Sequence, residues 1–293
     1  MLSEMARHGF EWVELSHGIR VSLVPGILKA LGEGIVRVSS VHNFCPLPTG
    51  FTSPAPNIYM PSAGDHREHA QWLRHTKRTI DFAKQVGARV AVLHLGEVGF
   101  FWFNPVKKLR RHERERGEAF SPEAPEYQRL LAKTTTAIHK RMAPYWARVK
   151  ASLEEIIPYA EEGGVRLGLE NRERIDELPL DAGFGELLGG LSRQGIAGYW
   201  HDAGHAQIKQ RLGLLNHEQH LAQNAPHLLG FHLHDVDATG RDHQPLGSGT
   251  IDFAMLSRFF RPEHLLVLEY GPKVAGADVS ESRRHLESLL PSA

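Results

Sequence analysis

The sequence has a single cysteine, Cys45, among 293 residues. That excludes an internal disulfide framework and any all-thiolate zinc site. There is no charge surplus either, since 34 Lys and Arg balance 34 Asp and Glu. A general phosphate-backbone binder needs excess cations to displace counterions, so a nucleic-acid partner is not expected. No apolar run approaches the ~18–20 residues of a membrane span, and no charged start leads into an apolar stretch. No membrane partner is therefore expected, and a cytoplasmic location is. What the chain has in quantity is histidine, 19 in all. Histidine is the commonest metal ligand and titrates near neutrality, so its placement matters.

Short Val/Leu/Ile-rich runs alternate with longer segments of helical periodicity. Glu11–Leu15, Val36–Val41, Arg89–Leu93, Val165–Leu169, Ala197–His201, Leu228–Leu233 and Leu265–Leu268 read as buried parallel strands. Helical spacing marks Asp65–Val86, Tyr127–Glu161, Ala203–Gln223, Phe253–Phe260 and Ser280–Leu290, and Met1–His8 reads as a short helix stopped by Gly9. The alternation predicts an α/β fold of βα units, with residues 1–293 as a single barrel domain. A TIM (β/α)8 barrel opens on a strand. The expectation is therefore a barrel lacking its first strand, with the start inside the first helix; an open seven-stranded sheet is the alternative. An unmatched edge needs a cover, and a homo-oligomer is one way to supply it.

Two segments break the rhythm. Asn43–Gly64 is a long loop rich in Pro, Gly and Ser, and residues 96–125 form a long insertion after the Arg89–Leu93 strand. The insertion carries the aromatic run Phe100–Phe103 and the basic stretch Lys107–Arg116. It is expected to be a lid or a subunit contact, with the basic stretch as a solvated helix face.

Parallel α/β folds assemble their sites at the C-terminal ends of strands. Those ends here are His42, His94, Glu170, Asp202, His232 and Glu269, with His205 one turn past Asp202 and His243 in the loop after His232. One such residue is ordinarily a structural group; six successive ends of this kind are not explained by composition. Buried carboxylates that face one another repel or take up protons unless a cation lies among them. Mixed imidazole and carboxylate donors suit manganese, zinc, cobalt or iron. Asp202 and His205, at i and i+3, can point to one side of a starting helix. His232 and His234 share a strand face while Leu233 takes the other.

The ordered set Leu169-Glu170-Asn171, Asp202-x-x-His205-Ala206, His232-x-x-Asp235, Asp242-His243, Gly247-x-Gly249-x-Ile251-Asp252-Phe253 and Leu268-Glu269 resembles the xylose isomerase-like TIM-barrel superfamily. That superfamily includes the sugar phosphate isomerases and epimerases and AP endonuclease family 2, and the likeness runs from Phe10 onward. The resemblance implies one divalent metal, manganese first and zinc, cobalt, magnesium or iron otherwise, held by Glu170, Asp202, His232 and Glu269. Glu170 and Glu269 are expected to double as the acid/base pair. They would remove and return a proton beside a carbonyl of a sugar or keto-polyol through a metal-bound enediolate. His205, His94, His243, His42 and Arg172 are expected to bind this small-molecule substrate.

The implied activity is thus a metal-dependent isomerase or epimerase. The alternatives are a metal-dependent lyase acting on oxidised (keto) glycosides, an AP endonuclease-like phosphodiesterase, and a non-catalytic metal- or sugar-binding barrel. The endonuclease pattern is interrupted. Its Asp two residues before the loop histidine is Arg241 here, and its Gly-Glu-Gly is Gly247-Ser248-Gly249. Elsewhere, Trp12, Trp72 and Trp146 are expected in the core, and His8, His66, His69, His75, His217, His220 and His227 at the surface. Glu14 and His17 are candidates to line the site. His234 stands where many members of the superfamily carry Lys.

Overall fold

The computed structural model describes residues 1–54 and 56–290. Seven parallel strands lie side by side in chain order: β1 (Trp12–Leu15), β2 (Arg37–His42), β3 (Val90–Leu93), β4 (Arg166–Glu170), β5 (Ala197–Asp202), β6 (Leu228–Leu233) and β7 (Leu265–Leu268). The helices are α1 (Leu2–Arg7), α2 (Val24–Gly32), α3 (His66–Val86), α4 (Pro105–Arg116), α5 (Pro125–Gly163), α6 (Phe184–Gly189), α7 (Ala203–Arg211), α8 (His217–Asn224), α9 (Phe253–Ser257) and α10 (Gly276–Leu289). Helical crossovers between parallel strands close the sheet into a nearly complete α/β TIM-type barrel. Among the described residues no strand pairs with the free edges of β1 and β7.

Strand periodicity explains the position of the site. Side chains alternate between the barrel interior and the helical layer. The interior plug is small: Val90, Val92, Trp200 and Leu229, with Leu265 and Val267 against them. Trp200 fills the lumen because glycines face it. A Cβ on Gly230 would lie 2.7 Å from the Trp200 ring, and one on Gly168 3.1 Å from it. Two residues further along, the next inward positions are His94, Glu170, Asp202, His232 and Glu269, which cap the plug at the C-terminal ends. The outward set, including Ala91, Leu93, Leu167, Leu169, Tyr199, Phe231 and Leu233, joins the main core beneath the helices.

The basic stretch within residues 96–125 is a helix as expected, α4: Asn104 accepts from the Lys107 amide, Pro105 opens the first turn, and Val106 and Leu109 are buried. Two local expectations change. Ala203–Gln223 is two helices, interrupted at Gly213 with φ +67° and restarted by the Asn216 cap. Trp12 is not core but 44% exposed, since it lies on an edge strand, with the Arg37 guanidinium 5.1 Å above its ring. Trp72 is fully buried, as expected.

Candidate active site and metal centre

Three carboxylates converge around one nitrogen of a fourth side chain. His232 Nδ1 lies 3.3 Å from Glu269 Oε2, 3.5 Å from Glu170 Oε1 and 3.9 Å from Asp202 Oδ2. The other ring nitrogen, Nε2, is 2.9 Å from Glu14 Oε1. Nδ1 is buried and has no hydrogen-bond partner. Carboxylate oxygens around an unpartnered imidazole nitrogen form a donor set for a divalent cation.

A second group shares Glu170. Its Oε2 is 2.7 Å from His94 Nε2 and 3.3 Å from His42 Nε2. Both histidines use their Nδ1 elsewhere, His94 on Asn57 Oδ1 at 2.9 Å and His42 on the Asn43 carbonyl at 2.8 Å. Burial, reinforced by Arg172, lowers the His94 pKa to about 3, so the ring is neutral. With its one proton on Nδ1, its Nε2 lone pair faces a carboxylate. That nitrogen, too, is buried without a hydrogen-bond partner. His42, His94 and Glu170 lie close enough to hold an ion, as do Glu170, Asp202 and His232. The two oxygens of Glu170 thus face two donor groups.

The charge balance supports a cation. Burial alone would raise the Glu170 carboxyl, but Arg172 and the surrounding histidines hold it well below its usual range. Asp202 is likewise held low, against its burial, by His205 and His234. Glu269, whose side chain is 30% exposed, is held low, against its partial burial, by His232 and His243. In return, and against burial, Glu14 and Glu269 raise His232 well above its usual value, and Asp202 raises His205 to about 9. Buried carboxylates here demand positive charge, and protonated imidazoles supply it where a metal would.

The surrounding residues divide by what they touch. Arg172 donates to Glu170 at 3.1 Å and to Glu177 at 3.3 Å, so both contacts are internal to the protein. His205 Nδ1 is 2.9 Å from the Asn171 carbonyl, and its amide is capped by Asp202 at 2.7 Å. His243 stands at the rim with φ +55°, its Nε2 3.6 Å from Glu269. Its loop is anchored by buried Asp235, whose oxygens accept the amides of Val236, Gly247, Gly249 and Ile251. Glu14 lines the site; His17 packs edge-on against His42 at 4.7 Å, and its pKa is lowered to about 3 by burial and then by His42. Asn57 carries no local signal in its Pro-rich loop and escapes sequence reasoning.

Another histidine cluster lies outside the barrel wall. Tyr199 and His201 alternate outward on β5, and the Tyr199 hydroxyl is 2.7 Å from His201 Nδ1 and 2.9 Å from His220 Nε2. His201 Nε2 meets His217 Nε2 at 2.9 Å. His217 and His220 are therefore buried, not at the surface, because α8 folds back over β5. His75 is buried as well, its ring stacked on Tyr59 at 5.5 Å.

The xylose isomerase-like TIM barrel family profile matches residues 2–289, and the chain belongs to that family. No curated protein matches the sequence. Among solved structures, a putative xylose isomerase from Rhodospirillum rubrum superposes with a TM-score of 0.68 at 17% identity, covering 99% of this chain and 93% of that one. A D-tagatose 3-epimerase-like protein gives 0.67 at 16% identity over 98% and 90% of the two chains. A 3-keto-D-glucoside 4-epimerase from E. coli gives 0.65 at 16% identity over 98% and 94%. These likenesses establish the shared fold.

Proposed function

We propose that the chain is a divalent-metal-dependent isomerase or epimerase acting on a sugar or keto-polyol. The observation that carries this reading is the unpartnered His232 Nδ1, surrounded by oxygens of Glu170, Asp202 and Glu269. Those four residues would hold the metal. When bound, it supplies a Lewis acid that polarises neighbouring substrate oxygens. Glu170 and Glu269 come from strands on different parts of the barrel wall. One takes the proton from the carbon beside the carbonyl, and the C–H electron pair moves toward the carbonyl oxygen to give an enediol. Return of a proton to the opposite face of the same carbon inverts it, and return to the neighbouring carbon moves the carbonyl. His205 and His243 would contact substrate hydroxyls. Arg172 and His94 serve Glu170 instead of substrate in this reading. Solved relatives in fold with epimerase names support the assignment.

One observation favours a second reading. His42 and His94 present Nε2 to Glu170 as a second ion would require, an arrangement that the AP endonuclease-like alternative shares. Neutral net charge and Arg241 weigh against that activity. The experiment is to incubate manganese-loaded protein with ketoses, 3-keto-glycosides and abasic duplex DNA in deuterated buffer. Deuterium beside the carbonyl without elimination supports the proposal. Elimination of the glycosidic substituent identifies the lyase, strand scission the phosphodiesterase, and no reaction on any of them the non-catalytic barrel.

A further inference from the structure

The inward residue of β1 is Glu14, and its placement depends on an irregularity. Pairing between β1 and β2 runs Trp12 to Arg37 and Val13 to Val38, then skips one residue so that Glu14 faces Ser40. A shift of this kind re-aims a side chain. The Ser40 hydroxyl donates to Glu14 Oε2 at 2.7 Å. The other oxygen, Oε1, accepts from His232 Nε2 at 2.9 Å, so Glu14 on β1 spans the lumen to a histidine on β6. The His232 side chain is fully buried, and Glu14 is 9% exposed.

An imidazole can bind a metal through Nδ1 only if that nitrogen is free of its proton. Glu14 is an acceptor at the far side of the ring, so when a metal displaces one proton of the imidazolium the other stays on Nε2, and Nδ1 faces the centre. The ring has little freedom to turn. Trp200 packs edge-on at 5.2 Å, and His42 stacks at 5.9 Å with planes 15° apart. The same carboxylate adds a negative charge one ring away from the ion.

We infer that Glu14, itself braced by Ser40, is the positioning residue that sets the tautomer and orientation of His232 for metal binding. Outer partners of this kind typically change metal affinity by ~10–100-fold when removed. The inference rests on the metal reading above, and the test separates the two.

The test is manganese binding to chelator-stripped full-length protein, measured by calorimetry without substrate, together with thermal melts of each metal-free variant. Glu14→Ala is expected to bind manganese ~10–100-fold more weakly than the parent. Glu14→Gln retains an amide oxygen for Nε2–H and is expected to recover part of that loss. Ser40→Ala, which leaves Glu14 in place, is the milder variant should Glu14→Ala fail to fold, and it is expected to weaken binding several-fold. Parental affinity in both Glu14→Ala and Ser40→Ala, with the parent binding normally, overturns the inference alone. An equal loss in Glu14→Gln and Glu14→Ala that follows their melting temperatures also overturns it, since that is the signature of a merely structural residue. Failure of the parent protein to bind manganese overturns the metal reading and this inference with it.

Discussion

His234 Nε2 lies 3.1 Å from Asp202 Oδ1, and its Nδ1 accepts the His243 amide at 2.9 Å. The histidine that follows His232 on the same strand line is therefore a strut with both nitrogens occupied. It ties a candidate metal ligand to the loop that carries His243, whose ring stacks on it at 4.3 Å. Because neither nitrogen is free, the nearby grouping of His234, His243 and Glu269 lacks a complete donor set. His234→Ala is expected to cost ~1–3 kcal/mol by leaving buried polar groups unmatched. Urea denaturation measures this, and a change below ~0.5 kcal/mol, the range of neutral surface substitutions, would contradict the strut.

The outer histidine cluster predicts acid sensitivity. Burial, with the His217–His220 repulsion, lowers His217 to about 4; burial, offset by Asp181, lowers His220 to about 4. Both are neutral in the folded state but take up protons once unfolded, below about pH 6.5. The contribution of this cluster to stability is thus expected to be flat above that value and to fall as pH drops from about 6.5 toward about 4, by up to a few kcal/mol in total. The check is the urea midpoint against pH for the parent and for His220→Gln. The variant should show a shallower fall, and identical slopes would show that this cluster is not the cause.

Much of the site was legible because two periodicities coincide. Period-two alternation and the strand-end rule bring His42, His94, Glu170, Asp202, His232 and Glu269 to one end of the barrel without knowledge of any contact, and only the family resemblance narrows them to Glu170, Asp202, His232 and Glu269 as a ligand set. The same rules give no account of partners. That His94 spends Nδ1 on Asn57, or that Arg172 is committed to Glu170 and Glu177, depends on loops with no periodic signal. The helix α4 was legible from its run of charges, which leaves only Val106 and Leu109 as a buried face. His217 and His220 looked superficial because residue type suggests exposure, whereas their burial comes from the fold of α8 over β5.

Glu170→Gln is expected to retain the fold, seen as an unchanged far-UV spectrum, and to lose proton exchange into substrate by ~10²–10⁴-fold, the usual contribution of an acid/base group. Exchange at the parental rate in a folded variant would remove Glu170 from the acid/base pair.

Phe101, Trp102 and Phe103 are 91%, 94% and 93% exposed. Side chains this solvated contribute little to the stability of a lone chain. Serine at all three positions is expected to shift unfolding by no more than ~0.5 kcal/mol. If the tip is a subunit contact, sedimentation velocity should show the triple variant as a smaller species than the parent. If it is a lid, the variant should keep the parental size and show a raised KM. Unchanged size and kinetics would rule out both roles.

Anomalous diffraction at the manganese edge from manganese-soaked crystals tests the central claim most directly. The account predicts a peak bounded by Glu170, Asp202, His232 and Glu269, with a second near His42 and His94 if Glu170 bridges two ions. Full manganese occupancy elsewhere, or no peak among those four side chains, would contradict it.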